Sequence, residues 1–279
     1  MPIPPTSSAS HRPTVGVILR FKNSAKTLPD VLAALRRQTV PPDLILGVNN
    51  ASTDGSPELL RAEGARVIEW TAAYHHPQVL NLAMGQCTTD LVLVLSSHTV
   101  FESATALEEL VESFNDPRTA CASGKWDTDS FFSDAIDWQE LQAKGLKFGS
   151  IYSNSMGMLR RSLWERIPFD ETIPTMEDGA WAVAQVHAGY VCRRLNFPFR
   201  YQRGGRRRDF IFALITFQLA ARHGLPVAWL GVPGTLRELF QIARRHLFDA
   251  NGQTIPDHRP LIDRLKAWLL WRFVRPDKE

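Results

Sequence analysis

Short runs of β-branched and aliphatic residues alternate, over the first hundred positions, with segments whose apolar residues recur at helical spacing. The helical pattern is clear in residues 27–38, because Leu28, Leu32 and Leu35 fall on one face. Strands are predicted at residues 14–21, 44–48, 66–70 and 91–96, and helices at residues 27–38, 56–63 and 79–86. Strands that alternate with helices indicate an α/β fold, with a mainly parallel sheet covered by helices on both faces.

The pattern is less regular after residue 150. Residues 158–190 predict a short helix, then a loop, then another helix that begins near Glu177 and ends at Gly189. Helical spacing returns beyond residue 209 and is interrupted at residues 251–260. We therefore expect a flexible leader over residues 1–13, an α/β domain over residues 14–208 and a helical region over residues 209–279.

The composition is typical of a globular protein, with 44% hydrophobic and 22% charged residues among 279. No run of about 18 uncharged apolar residues is present, so no transmembrane helix is predicted. The leader has three prolines before residue 13 and no apolar segment, which argues against a secretory signal. The three cysteines have no paired spacing and indicate neither a disulfide framework nor a zinc site. We expect a cytoplasmic protein.

The net charge of +3 is unevenly distributed. Four arginines fall within six residues: Arg203, Arg206, Arg207 and Arg208. Such a cluster suits an anionic ligand, or it forms a solvated basic loop. The glycine-rich dinucleotide fingerprint, the phosphate-binding loop and the Gly-x-Ser-x-Gly elbow are absent from the sequence, which disfavours dehydrogenases, nucleoside triphosphatases and α/β-hydrolases.

Polar segments follow three of the predicted strands at the point where each strand ends. These segments are residues 20–23 (RFKN), 49–55 (NNASTDG) and 96–98 (SSH). Open α/β sheets bind ligands beyond the carboxyl ends of their strands, so we expect the three segments to converge on one edge of the sheet.

Two of these segments carry candidate ligand-binding groups. The amides of Asn49 and Asn50 could face a nucleobase, or they could simply form the turn. Ser96 and His98 are two residues apart, and in an extended segment both would face one ion. The alternative for His98 is a histidine packed against a carbonyl group.

A pair of carboxylates, Glu177 and Asp178, stands at a predicted helix start, with Trp181 one turn later. Complementing the helix dipole is one explanation and is worth about 0.3–1 kcal/mol. Since a single carboxylate would serve that purpose, the pair predicts a catalytic base beside an aromatic surface.

Taken in order, these segments resemble the inverting glycosyltransferases of family 2, which have the GT-A fold. The resemblance runs from residue 14 to about residue 200. RFKNSAKTL is similar to the opening strand and turn of the family, and VNNASTDGS to its nucleotide-binding stretch. YHHPQVLN resembles the segment before the metal-binding strand, VLSSHT takes the place of the Asp-x-Asp motif, and FDETIPTMEDGAW resembles the acceptor-side loop.

The resemblance implies transfer of a sugar from a nucleotide-sugar to a hydroxyl of a glycan or lipid-linked acceptor, with inversion. It divides the α/β domain into a nucleotide-sugar half (14–103) and an acceptor half (104–208). The catalytic residues implied are Asp178 and Glu177, whose roles could be exchanged, and the metal ligands are His98 and Ser96, for Mn²⁺ or Mg²⁺. The donor-binding residues implied are Arg20, Phe21, Asn23, Asn49, Asn50, Asp54, Asn81, Ser96, Ser97, Arg203 and Arg206, and those for the acceptor are Trp181 and Asn154. No nucleic-acid partner is expected.

Two departures from the family pattern bear on these expectations. Asn49 and Asn50 stand where the family usually has acidic residues, which leaves UDP-, dTDP- and GDP-sugars open as donors. Residues 96–98 replace the Asp-x-Asp motif, and a subset of the family has a similar serine-histidine version. A rival interpretation is a non-catalytic sugar- or nucleotide-binding module. A nucleotidyltransferase is disfavoured because its glycine-rich signature is missing after the first strand.

The last helical segment, residues 261–279, combines apolar residues with two tryptophans and several cations. Its apolar run is too short to span a bilayer, and tryptophans flanked by Lys and Arg suit a headgroup boundary. The segment predicts peripheral association with the inner face of the cytoplasmic membrane, with a dimer interface as the alternative.

Overall fold

The computed structural model describes residues 12–126, 131–147, 151–202 and 209–227, with the side chains of residues 209–214 excepted. These residues form two compact units. The first comprises residues 12–126, 131–138 and 151–202, and the second comprises residues 139–147 and 209–227. The expected leader (to residue 11), the arginine cluster and residues 228–279 lie outside the described residues.

The first half of the larger unit alternates strands with helices. Its elements are β1 (Val15–Phe21), α1 (Leu28–Arg36), β2 (Leu44–Asn49), α2 (Ser56–Ala62), β3 (Arg66–Glu69), α3 (His76–Gln86) and β4 (Leu91–Ser96). Each of the three helices has a proline in its first two positions, where the missing N–H costs nothing. All seven elements match the predicted ones, with boundaries that differ by three residues or fewer.

The other described residues form eleven further strands and α-helices. They are β5 (Thr99–Phe101), α4 (Ala106–Glu112), β6 (Thr119–Gly124), β7 (Ala135–Ile136), α5 (Trp138–Lys144), β8 (Met156–Arg160), α6 (Arg161–Arg166), α7 (Glu177–His187), β9 (Val191–Leu195), β10 (Phe199–Tyr201) and α8 (Asp209–His223). The helix predicted from Glu177 is confirmed. The short helix predicted at the start of segment 158–190 begins only at Arg161, because residues 156–160 form a buried strand between β4 and β6.

The main sheet has eight strands in the order β3-β2-β1-β4-β8-β6-β9-β7. Strands β1 to β4 are parallel, β8 runs antiparallel between β4 and β6, and β9 is parallel to β6. A separate two-stranded sheet pairs β5 with β10. The α/β class is therefore confirmed, and the carboxyl ends of β1 to β4 and β6 meet the start of β8 at one edge.

The core lies on both faces of the central strands. The successive residues Val17 and Ile18 of β1, and Leu93 and Val94 of β4, point to opposite faces and are all fully buried, as continuous apolar runs in a parallel sheet require. Gly16 marks a close approach, since a Cβ there would lie 2.5 Å from the Sγ of Cys87. A side chain at that position would force β1 and the end of α3 apart.

The smaller unit contains most of α5 together with α8. Leu146 donates its N–H to the carbonyl of Pro226 at 2.8 Å, and Phe217 is fully buried. The helical pattern predicted beyond residue 209 is confirmed over α8. Among the described residues, no helix is both long enough and apolar enough to cross a bilayer.

Candidate functional site

The strand register places the polar segments side by side. Asn49 lies between Phe21 on β1 and Glu69 on β3, and Arg20 lies opposite Ser96 on β4. The start of β8 adjoins the same edge, because the Ser96 N–H donates to the carbonyl of Ser155 at 3.0 Å. The predicted convergence on one edge of the sheet is confirmed, and we call this edge the rim.

The loops after β1 and β2 are joined by hydrogen bonds between side chains and backbone. The Oδ1 of Asn23 accepts the N–H of Thr53 at 2.8 Å. The carboxylate of Asp54 accepts the N–H of Ala25 at 2.9 Å and the hydroxyl of Ser56. These bonds, led by the Ser56 hydroxyl, hold the pKa of Asp54 below its ordinary value. Asn23 and Asp54 therefore shape the rim.

Asn49 is also engaged within the protein. It is 4% exposed, its Nδ2 donates to Glu69 at 2.7 Å and its Oδ1 accepts the N–H of Ser52 at 3.0 Å. Because the Glu69 carboxylate only accepts, the orientation of the Asn49 amide is determined. The neighbouring Asn50 is half-buried and bonds through its N–H to the carbonyl of Phe21 at 3.0 Å. The side-chain amide of Asn50 makes no hydrogen bond within the described residues.

The serine-serine-histidine segment is a turn and not an extended strand. Strand β4 ends at Ser96, whose hydroxyl accepts the N–H of His98 at 3.3 Å. Ser97 is 2% exposed and its hydroxyl lies 2.9 Å from that of Ser24, so it joins the turn to the β1 loop. The alternation argument that placed Ser96 and His98 on one face is therefore wrong, because the chain bends between them.

His98 is half-buried beside the rim. Its Nδ1 lies 3.5 Å from the hydroxyl of Thr27, and its ring meets that of Tyr201 edge to face. Within the described part of the chain, no group of three or more His, Cys, Asp and Glu residues could hold a metal ion. The two ligands predicted at the end of β4, His98 and Ser96, supply an imidazole and a hydroxyl group.

The two carboxylates at the start of α7 occupy different environments. Glu177 is 4% exposed, and its Oε1 lies 3.8 Å from the Nη1 of Arg20. Asp178 is half-buried and accepts the backbone N–H of Asn154 at 3.0 Å. The Asn154 amide donates to Glu177 at 3.3 Å, so this residue holds both carboxylates at the rim.

Burial and the neighbouring Glu177 raise the pKa of Asp178 from 3.8 to about 6. The hydrogen bonds from Asn154 and Gly179 and the charge of Arg20 oppose that rise. A carboxylate of this kind is ionised at neutral pH and is a better proton acceptor than an exposed aspartate.

Arg20 connects the carboxylates to the loop before α3. Its Nη1 donates to the Nδ1 of His76 at 2.9 Å, and its Nη2 donates to the carbonyl of Asn154 at 3.3 Å. Tyr74 interacts electrostatically with Arg20, and its ring meets that of His76 edge to face. Neither Tyr74 nor His76 is identifiable as a site residue from the sequence alone, although their segment carries part of the resemblance. Only the fold brings them to Arg20.

Two predicted donor-binding residues are structural. Phe21 is 3% exposed and belongs to the hydrophobic core. The amide of Asn81 is saturated: its oxygen accepts from Trp164 and Phe169, and its nitrogen donates to Phe169 and Glu171, all within 3.1 Å. Asn81 therefore holds the loop before α7 in place. The prediction that Phe21 and Asn81 contact the donor is wrong, because both side chains are engaged within the protein.

Trp181 is likewise not an acceptor surface. It is 2% exposed, and its indole N–H donates to the carbonyl of Ile167 at 2.7 Å. The helix explains this result, because Trp181 follows Glu177 by four residues and shares its buried face, whereas Asp178 is turned toward the surface. Arg203 and Arg206 lie outside the described residues.

Solved structures with similar folds are glycosyltransferases. Mannosyltransferase PcManGT from Pyrobaculum calidifontis, in complex with GDP-Man and Mn²⁺, has a TM-score of 0.63 at 20% identity, covering 94% of this chain and 81% of that chain. Glucosyl-3-phosphoglycerate synthase from Mycobacterium tuberculosis, in complex with Mn²⁺, UDP and glucosyl-3-phosphoglycerate, has a TM-score of 0.57 at 17% identity, covering 79% and 83%. The predicted GT-A fold is confirmed.

The family follows from the sequence. The sequence model of the family described as glycosyl transferase family 2 matches residues 16–173, which are more than half of the chain. The chain therefore belongs to that family. The O-antigen chain rhamnosyltransferase RfbN of Salmonella typhimurium is 24% identical over 199 residues, which are 63% of this chain and 62% of that protein. The chain thus matches less than two thirds of the length of this curated relative.

Proposed function

We propose that the protein transfers a sugar from a nucleotide-sugar to a hydroxyl group of a saccharide acceptor, with inversion at the anomeric carbon. The observation that carries the proposal is the pair of unlike carboxylates at the rim, one neutralised by Arg20 and the other with a pKa of about 6. Membership of glycosyl transferase family 2 supports the reaction class.

Asp178 is the base in this proposal, and Glu177 is not. Glu177 is nearly inaccessible and faces a guanidinium group, so its charge is already compensated. Asp178 is partly accessible, and no ion pair is recorded for it among the described residues. It would take the proton of the acceptor hydroxyl as that oxygen attacks opposite the leaving diphosphate, in a transition state with oxocarbenium character.

The donor is proposed to lie across the ends of β1, β2 and β4. Asn50, with an amide unused among the described residues, is our candidate for contact with the base of a UDP-, dTDP- or GDP-sugar. Asn23, Asn49, Asp54 and Ser97 would hold the loops that receive it, as their hydrogen bonds to the protein indicate. Arg203 and Arg206 remain candidates for the diphosphate.

An imidazole and a hydroxyl fit a divalent ion only as a minor part of its coordination shell. We therefore infer that Mn²⁺, which accepts imidazole readily, or Mg²⁺ would be held largely by the donor phosphates, with His98 and Ser96 contributing. Such an ion, when bound, would offset negative charge on the leaving diphosphate. We propose that the acceptor is a glycan or a lipid-linked saccharide. We also propose that the protein acts at the inner face of the cytoplasmic membrane.

The test is metal-dependent release of nucleoside diphosphate from a panel of UDP-, GDP- and dTDP-sugars, with and without Mn²⁺. We expect one donor to be hydrolysed slowly without acceptor and to raise the melting temperature, since a ligand at 100 times its Kd adds about 2.7 kcal/mol. Stabilisation by a donor without any diphosphate release would instead support a non-catalytic binding module.

A further inference from the structure

Three aromatic side chains, Trp126, Phe199 and Tyr201, form a continuous surface that the proposed reaction has not used, and we call them the aromatic face. Trp126 meets both other rings edge to face, each with centroids 5.2 Å apart. Phe199 and Trp126 pack against the hydrophobic core, whereas Tyr201 is 37% exposed. The surface therefore runs from the core to solvent.

The strand pattern gives the aromatic face its apolar character. Phe199 and Tyr201 alternate with Arg200 on β10, so Arg200 points to the opposite side. There it forms ion pairs with Asp30 at 3.3 Å and with Glu102 at 3.7 Å. Since Arg200 is held on the other side, the exposed ring of Tyr201 borders an apolar surface.

The aromatic face adjoins the site. The ring of Tyr201 lies 6.2 Å from that of His98 after β4, and it also contacts Trp126, which follows β6. Strand β8 lies between β4 and β6, and two residues before its start Asn154 donates its backbone N–H to Asp178. Tyr201 thus contacts residues that follow both β4 and β6. Between these two strand ends lies Asn154, which holds the proposed base Asp178.

We propose that the aromatic face, with Tyr201 as its contact residue, binds a pyranose ring of the acceptor. This inference rests on the proposed function and names its acceptor subsite. The C–H face of a pyranose is apolar and its hydroxyls project outward, which suits an aromatic ring beside polar groups such as His98. Rings fixed by edge-to-face contacts lose little freedom on binding, so the surface is preorganised.

The experiment uses the full chain and a panel of methyl glycosides, namely methyl α-mannoside, methyl α-rhamnoside and methyl β-galactoside, observed by saturation-transfer NMR. We expect the unmodified protein to saturate the ring protons of at least one glycoside, and Tyr201→Ala to weaken binding roughly tenfold. Tyr201→Phe keeps the ring and should retain binding. Leu82→Ala is the matched control, because Leu82 is also 37% exposed but lies on α3.

Equal binding by Tyr201→Ala and the unmodified protein, or no binding of any glycoside by the unmodified protein, overturns the proposal. Weakened binding of UDP or GDP in Tyr201→Ala also overturns it, because the ring would then hold the donor. Diphosphate release tests the proposed function separately. If no donor is turned over while glycoside binding still depends on Tyr201, the reaction fails and the subsite stands.

Discussion

Two aspartates at opposite sides of the rim show how position determines the chemistry of the same side chain. Asp54, on the β2 loop, is exposed and accepts bonds from Ala25 and Ser56, which lower its pKa. Asp178, at the start of α7, loses solvent and faces Glu177, which raise its pKa to about 6. Hydrogen-bond donors make the first a stable anion suited to holding a loop. Burial beside a like charge makes the second suited to taking a proton.

The same substitution at both positions gives the sharpest test of this contrast. Asp178→Asn should reduce metal-dependent diphosphate release about 10²–10⁴-fold, because it removes the proton acceptor and leaves the donor side intact. Asp54→Asn is the comparison variant: because the amide keeps one acceptor oxygen for the loop, it should lose far less of the rate than Asp178→Asn. Donor binding, followed by thermal shift, should survive in Asp178→Asn. A Glu177→Gln variant that is inactive beside a nearly normal Asp178→Asn would show that the roles are exchanged.

Removing the charge that compensates Glu177 should have the next largest effect. Arg20→Met leaves a buried carboxylate unpaired, which typically costs about 3–5 kcal/mol of unfolding free energy. Urea denaturation measures the loss, and Arg20→Lys, which keeps the charge, should lose less. Arg20 also lowers the pKa of Asp178, so the acid limb of the activity profile should move to higher pH in Arg20→Met. Unchanged stability and an unchanged limb would remove Arg20 from the site.

The loop that carries α7 to the rim depends on Asn81. Asn81→Ala should cost about 1–3 kcal/mol, because the amide satisfies buried partners on both sides of the loop. Thermal unfolding checks the value. The Michaelis constant for the donor should stay unchanged, since the amide faces the protein. A donor effect without a stability effect would restore the donor-binding role that the structure contradicts.

The smallest expected effects are on the pH dependence of stability, and they have opposite signs. The raised pKa of Asp178 means that its contribution to stability is present below about pH 4 and is lost as pH rises to about 6. The lowered pKa of Asp54 means that its contribution is present above about pH 4 and is lost on further acidification. Asp178→Asn should flatten the unfolding free energy between those two pH values, and Asp54→Asn should flatten it only below them. Identical profiles would contradict the contrast.

Local pattern was sufficient for the first half of the fold. Residues 14–96 repeat one strand-helix unit, and each central strand is buried on both faces, so its sequence is a continuous apolar run. Residues 156–160 did not show this signal. They contain Met, Leu and Arg, which favour helices, and only the gap between β4 and β6 makes them a strand.

For the polar residues at the rim, too, the sequence predicts one part and the tertiary structure decides the other. Strand ends of a parallel sheet must meet at one edge, so Asn49 and Ser96 could be identified from their order along the chain. The Glu177–Asp178 pair could be identified as two adjacent carboxylates at a helix start. Their tasks depend on neighbours distant in sequence: Arg20 compensates Glu177, Glu69 orients Asn49 and Asn154 holds Asp178. Trp181 has the residue type of a binding surface, yet helix α7 turns it into the core, while Tyr201 reaches the surface beside His98. Periodicity determines which residues can share a face, and packing against distant segments decides which face meets water.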